Sequence, residues 1–135
     1  MSCVYQIDSR RRLIHLIIEG QVLGEELVAF ERNLQADPQY DPDFDQLADV
    51  RRWLPPVADL DTLQELARGL APSSKRRIAI VVASALLYGV SREFAGLANL
   101  APSRFGLFYR LGEARNWLRV ERGAGLVPPS LNDTV

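Results

Sequence analysis

Five short apolar segments punctuate this chain, and each predicts a β-strand. They cover residues 3–7, 13–18, 47–50, 77–83 and 105–110. Short runs rich in β-branched and apolar residues and bounded by turn residues are typical of buried strands. Only Asp8-Ser9-Arg10 and two further arginines separate the first two segments. Such a short gap predicts an antiparallel hairpin, and the nearly unbroken apolar run of the second segment predicts cover on both faces.

Between these strands, apolar residues recur at helical spacing in four segments. The predicted helices start at a cap on Gly24 and end before Pro38, cover 59–70, run from a cap on Ser84 to Ala98, and cover 112–120. The order ββαβαβαβα predicts an α/β domain over residues 1–122. Its fold would be a mixed five-stranded sheet, with the first two strands an antiparallel hairpin, the rest mostly parallel, and about four helices. Residues 123–135 lack apolar periodicity and are expected to be a disordered tail.

Composition narrows the classes of function. Hydrophobic residues make up 47% of the 135, enough to build a core without disulfides or metal. One cysteine and one histidine exclude disulfide frameworks and zinc sites made of several thiolates, so no cofactor is expected. No apolar run reaches the roughly 20 residues that span a bilayer, and the first twelve residues lack the charged-then-apolar order of a signal peptide. The sequence therefore predicts a cytoplasmic protein without a membrane or nucleic-acid partner, the latter because the net charge is only −1.

Several short motifs resemble those of a known family. They are Tyr5–Asp8, Gly20 before Glu25-Glu26-Leu27, Ala48–Arg51, Ala79–Val82, Tyr88-Gly89 with Arg92-Glu93-Phe94, and Phe108–Arg110 running to Trp117-Leu118. Over residues 3–120 the chain resembles the STAS domain superfamily, in particular its SpoIIAA-like branch of bacterial proteins. The resemblance implies a regulatory or protein-interaction module rather than an enzyme, with another protein as its partner.

The family also implies a place to look for regulation. In antagonists of anti-sigma factors a kinase phosphorylates a serine at the start of the second helix, within an Asp-Ser-Ser-Gly type of motif. The comparable stretch here, residues 58–63, reads Ala-Asp-Leu-Asp-Thr-Leu and lacks both the paired serines and the glycine. Thr62 is the only hydroxyl there, and with Glu65 it matches a capping box. We therefore expect Thr62 to cap the helix, with Asp59 or Asp61 as alternatives, and we expect no phosphorylation.

The connection from the third strand to the second helix is the predicted contact region. It spans residues 51–62, where an open α/β sheet commonly forms its ligand crevice. The candidate residues are Arg51, Trp53, Leu54, Asp59, Asp61 and Thr62. The apolar residues among them could simply cover the sheet edge, or they could contact a protein. The same crevice could instead bind a small apolar or anionic ligand, and backbone N–H groups at the helix start would hold the anion. A deep pocket beneath Trp53 would favour a ligand, and a flat exposed patch a protein.

The remaining polar features have structural interpretations. His15, on a buried strand, is expected to be packed and hydrogen-bonded. Asp41, Asp43 and Asp45 lack the glycine and glutamate of a calcium loop and predict a solvated acidic loop. The basic runs 10–12 and 75–77 predict solvated strand starts.

Charge is distributed unevenly along the chain. Acidic residues prevail over basic ones as far as Glu65, and basic residues prevail afterwards. If folding keeps these halves apart, complementary faces would favour a homodimer that salt weakens.

Overall fold

A mixed sheet organises the part of the chain that the computed structural model describes, residues 2–54, 59–70 and 75–119. Its strands are β1 (Ser2–Asp8), β2 (Leu13–Gln21), β3 (Asp45–Leu54), β4 (Ile78–Val81) and β5 (Phe105–Phe108). They lie side by side in chain order. The β1–β2 pair is antiparallel, and every later pair is parallel. The predicted mixed five-stranded sheet is confirmed.

Four helices cover the sheet unequally. They are α1 (Gly24–Gln35), α2 (Leu60–Arg68), α3 (Ala85–Leu97) and α4 (Leu111–Arg119), and a 3-10 turn (Pro102–Arg104) precedes β5. The main core brings buried residues of α1, α2 and α3 against one face of the sheet. A smaller core joins α4 to the other face, mainly over β3, β4 and β5. The predicted helix number is therefore confirmed, and three of the four helices share one layer.

The second strand is covered less fully than its sequence suggests. Ile14, Leu16 and Ile18 point into the main core and are buried. Leu13, His15 and Ile17 point to the opposite face and are only half-buried. Because α4 packs mainly on the later strands, it covers this part of the second face only partly, with Leu13 at the edge of the smaller core. The prediction that β2 is covered on both faces is wrong for that face.

Two predicted boundaries change in ways that affect the site. β3 extends to Leu54, so 51–54, which we had assigned to a connecting loop, continue the strand. The first helix begins at Gly24 itself, with Leu23 as its N-cap, and the carboxylate of Glu26 accepts a hydrogen bond from the Leu23 N–H at 3.1 Å. The expected cap on Gly24 is therefore wrong, whereas Ser84 does cap α3 through the N–H of Leu87. Residues 55–58 and the tail 123–135 lie outside the described residues.

Two consecutive arginines before β4 are buried, which contradicts their assignment as solvated. The guanidinium of Arg76 donates to the carbonyls of Phe44 and Asp41 and to the hydroxyl of Tyr40, at 2.6, 2.8 and 3.1 Å. These bonds attach the loop between α1 and β3 to the start of β4. Asp41 and Asp43 are only partly exposed, so the loop is less solvated than predicted.

Arg77 makes a buried ion pair at the other side of the same strand start. Its Nη2 donates to the Asp45 carboxylate at 2.6 Å and to the Leu118 carbonyl at 2.6 Å, and its guanidinium lies over the Trp117 ring. Asp45 is 2% exposed and also accepts the backbone N–H of Arg77. One side chain thus connects β3, β4 and α4. The third aspartate of the loop is therefore a buried ion-pair partner and not a solvated residue.

Removing the charge of Asp45 should destabilise the protein strongly. In the Asp45→Asn variant the Arg77 cation stays buried without its counter-ion, and we expect a loss of about 3 kcal/mol in the free energy of unfolding. Urea denaturation measures it. Glu65→Gln, which removes an exposed carboxylate paired with Arg32 and Arg68, is the control and should cost less than about 1 kcal/mol. Equal losses would mean that burial does not set the value of the Asp45 pair.

Candidate functional site

An irregularity in β3 decides where Trp53 points. From Ile17 to Glu19 the partner residue on β3 advances by three, from Asp49 to Arg52, so β3 carries one extra residue there. Such a bulge reverses the alternation of the side chains beyond it. Trp53 consequently pairs with Gly20 and lies on the face of the main core, whereas regular alternation would have placed it with Asp49.

Trp53 lines an apolar cavity between the sheet and helices α1, α2 and α3. The cavity has a volume of about 100 Å³. Its apolar wall includes Leu16, Ile18, Leu27, Val50, Leu63 and Ile80. Trp53 is only 7% exposed. Its Nε1 has no hydrogen-bond partner among the described residues. A buried donor without an acceptor is costly, which marks this end of the cavity as unsatisfied.

Glu31 is a second polar group at the cavity wall. It lies on α1 and also lines an adjacent groove between α1 and α2, of about 250 Å³. Burial among apolar side chains raises the pKa of Glu31, and the positive charge of Arg76 opposes that shift only in part. No ion pair within the described ranges includes the Glu31 carboxylate. The site therefore holds a carboxyl group that is desolvated and unpaired.

The cavity and the groove adjoin along α1 and α2, where Gln35 donates a hydrogen bond to the Gly69 carbonyl at 3.4 Å. They share Glu31, Gln35, Leu66 and Gly69 as lining residues. In the groove, Arg32 and Arg68 both contact Glu65, at 3.5 and 2.9 Å. An apolar interior thus adjoins a polar groove in which the basic side chains already have partners.

The predicted contact residues do not converge on this feature. Arg51 lies on the opposite face of the sheet from Trp53, where its guanidinium makes a two-point ion pair with Asp49 at 2.8 and 2.9 Å. That pairing overrides the burial of the carboxylate and lowers the pKa of Asp49. Leu54 is 54% exposed at the end of β3. Of the six candidates only Trp53 lines the cavity.

The start of α2 is occupied by its own side chains. Asp59, not Thr62, is the N-cap, and its carboxylate accepts the Thr62 N–H at 2.9 Å, so the predicted Thr62 cap is wrong. Hydrogen bonds from the backbone and side chain of Thr62 lower the pKa of Asp59. Because Asp59 already holds this N–H and Asp61 adds a second negative charge, an anion would be disfavoured here. The anionic-ligand alternative loses its physical basis.

Thr62 packs against the first turn of α1. A Cβ built on Gly24 would lie 2.1 Å from the Thr62 Oγ1, far inside contact distance. The hydroxyl therefore points at a glycine that leaves just enough space for it. A phosphate on this oxygen would need α1 and α2 to separate, which agrees with the expectation that Thr62 is not phosphorylated.

Large apolar residues are exposed where the parallel strands end. Leu54 closes β3, Leu23 precedes α1, and Leu60 opens α2. Each is about half exposed, at 54%, 50% and 49%. Leu54 lies beside Gln21 in the sheet, and the helix starts meet at Gly24 and Thr62. These three leucines, called the leucine rim below, form an exposed apolar feature at the carboxyl end of the sheet.

The environments of the single cysteine and the single histidine do not favour nucleophilic or acid–base chemistry. Burial, with a smaller contribution from Glu26, raises the pKa of the Cys3 thiol, which disfavours the thiolate. Burial and the nearby Arg115 charge lower the pKa of His15, against the opposing effect of Asp49. The His15 Nε2 is buried with no partner in the described part of the chain, so the expectation of a hydrogen-bonded histidine is wrong for that atom.

Sequence reasoning missed Glu31 and Gln46, although a signal for each exists. Glu31 stands four residues after Leu27 and three before Leu34, so it interrupts the apolar stripe of α1. Gln46 alternates with Ala48 and Val50 along β3 and lines the cavity with them. A polar residue at an otherwise apolar periodic position predicts a polar group inside the core.

Comparisons with protein-family models, curated proteins and solved structures found no match to this chain. Over residues 2–54, 59–70 and 75–119, no cluster of three or more histidine, cysteine or acidic side chains could hold a metal ion. Within the same ranges, no helix has the length and apolarity needed to cross a bilayer. The site is therefore interpreted from its own geometry.

Glu31→Gln should stabilise the protein at neutral pH. The raised pKa means that the folded state disfavours the ionised carboxylate, so wild type carries a penalty at pH 7 that fades as the pH falls toward the ordinary glutamate value. We expect a gain of about 1 kcal/mol in the free energy of unfolding at pH 7 and almost none near pH 4. Denaturant titrations at both pH values measure it. A gain independent of pH would contradict the desolvation of Glu31.

Proposed function

We propose that this chain is a non-catalytic binding domain of the STAS-like type, and that it holds a small, mainly apolar ligand behind Trp53. One observation carries the proposal: a buried tryptophan lines an apolar cavity with its N–H unsatisfied. The N–H has almost no accessible surface, so a bound ligand would have to shift the indole for an oxygen to satisfy that donor. Most ligand sites combine apolar walls with a few such polar groups.

The size of the site supports an elongated ligand. An engineered cavity of about 150 Å³ accepts benzene, so about 100 Å³ behind Trp53 holds only a few heavy atoms. The adjoining groove adds about 250 Å³ and shares four lining residues with the cavity. A ligand with a short hydrocarbon chain would occupy both, with its apolar part inside and its other end in the groove.

The resemblance to STAS domains implies that the chain acts as a regulatory module in the bacterial cytoplasm. The order of strands and helices supports it, and the family assignment itself rests on the short motifs given above. In such a module a bound ligand would act by changing what the neighbouring surface can contact.

Titration with 1-alkanols of five to eight carbons tests the ligand proposal. Trp117→Phe leaves Trp53 as the only tryptophan, so its fluorescence reports on the cavity directly. We expect a saturable change, and we expect Ala48→Val to weaken binding about tenfold because Ala48 lines the cavity and two added methyl groups fill it. Leu54→Ala, exposed beside Trp53, is the control and should bind like the parent. Absence of saturable binding across the series would exclude the proposal.

A protein partner is the second candidate, and the leucine rim is the observation in its favour. Exposed apolar residues grouped at the carboxyl end of a sheet are typical of contact surfaces. The partner would be another protein of unknown identity, or a second copy of this chain. The strand order separates β1, β2 and α1 from β4, β5 and α4, but the acidic loop contacts the basic residues 75–77, so the negative and positive charges meet there and a homodimer would depend mainly on the leucine rim.

Introducing negative charges at the leucine rim tests this candidate. Leu54→Asp with Leu60→Asp should abolish self-association, measured by light scattering at 50 and 500 mM salt, or retention of a defined partner from the native host. Leu97→Asp, an exposed leucine at the end of α3, is the matched control and should change neither. If the dimer persists in the rim variant, its interface lies elsewhere. If the wild-type dimer is equally stable at 50 and 500 mM salt, the electrostatic explanation is excluded.

A further inference from the structure

The carboxyl group of Glu31 has no evident purpose in the fold. It lies half-buried where the apolar cavity meets the groove, and burial raises its pKa. A glutamine or a leucine at this position of α1 would avoid the desolvation. A charge kept at a binding site against the stability of the fold points to a ligand with the opposite charge.

We propose that the site selects a ligand carrying a protonated amine at one end of a short hydrocarbon chain, with Glu31 as the counter-ion of the amine. This inference rests on the proposed ligand function and adds the chemical class of the ligand. The chain would lie in the cavity, and an oxygen at its other end would accept the Trp53 N–H once the indole has shifted. Short amino alcohols have this combination of groups.

The neighbouring charges act in both directions on a cation bound at Glu31. Each guanidinium nitrogen of Arg76 already donates to an acceptor in the loop before β3. In the groove, Arg32 and Arg68 contact Glu65. Glu31 belongs to none of the ion pairs of the described residues. An incoming amine would therefore meet a carboxylate that enters no ion pair of the described residues, and the charge of Arg76, which its neutral hydrogen-bond acceptors do not cancel, would oppose it.

The position of Glu31 also limits the cost of binding a charge. Moving an ammonium group fully into an apolar interior is prohibitive without excellent pairing. Glu31 keeps part of its surface in water at the groove, so the amine would pair with it while staying partly hydrated. A charge-assisted hydrogen bond in such a place should improve affinity by about tenfold or more.

Matched pairs of ligands test the amine directly. In the Trp117→Phe background, α,ω-diols of five to eight carbons are compared with amino alcohols of the same length, which differ only at one end. We expect the best amino alcohol to bind about tenfold more tightly than its diol. In Glu31→Gln this ratio should fall to about one. Glu25→Gln removes the same charge from an exposed site on the same helix and should keep the ratio.

The outcomes separate this inference from the function on which it rests. If alkanols and diols bind but amino alcohols bind no more tightly, or if Glu31→Gln keeps their preference, the amine assignment is wrong and the apolar site stands. Tighter binding of the matching ω-hydroxy carboxylates would also overturn it, because Arg76 would then dominate. If none of these compounds binds, both the site and the inference fail.

Discussion

The buried ion pair between Arg77 and Asp45 is the constraint on which the remaining structure depends. It joins the start of β4 to the start of β3, and the same guanidinium reaches the last turn of α4 through the Leu118 carbonyl. This side chain therefore fixes the position of α4, the helix that the described residues place on the second face, relative to β3 and β4. Such pairs contribute little net stability, but breaking one leaves a buried charge without its partner. They therefore fix which elements are neighbours.

Arg76 extends that constraint to the main core. By holding the carbonyls of Asp41 and Phe44 it sets the entry of β3, while its own positive charge lies near enough to Glu31 to oppose the effect of burial on the carboxyl pKa. Two adjacent arginines thus make their contacts on opposite faces of the sheet. One closes the α4 side of the sheet, and the other bounds the cavity on the side of α1, α2 and α3.

The cavity depends on the bulge in β3. The extra residue of β3 turns Trp53 away from the face of Asp49 and Arg51 and into the main core, where an apolar wall surrounds an unsatisfied indole N–H. A better packed and fully satisfied core would be more stable. Together with the desolvated Glu31, this arrangement gives up stability at a place where a ligand could restore it, which is the physical reason for treating the cavity as functional.

Local patterns in the sequence determined the elements, and the chain order of those elements determined most of the sheet. The apolar runs of β2 and β4 and the helical spacing of α1 and α3 depend only on neighbours within a few residues, so they are visible without the fold. The tertiary structure alone decided the burial of Arg76 and Arg77 and the direction of Trp53. The Asp59 cap is local, and the sequence had left Asp59 as an alternative to Thr62. A charged residue before a strand looks solvated until its partner, 32 residues away in the chain, is known. A bulge shifts alternation through the pairing of two strands, which no single segment records. The candidate site therefore came from the structure, because its residues share a cavity only after three helices pack on one face of the sheet.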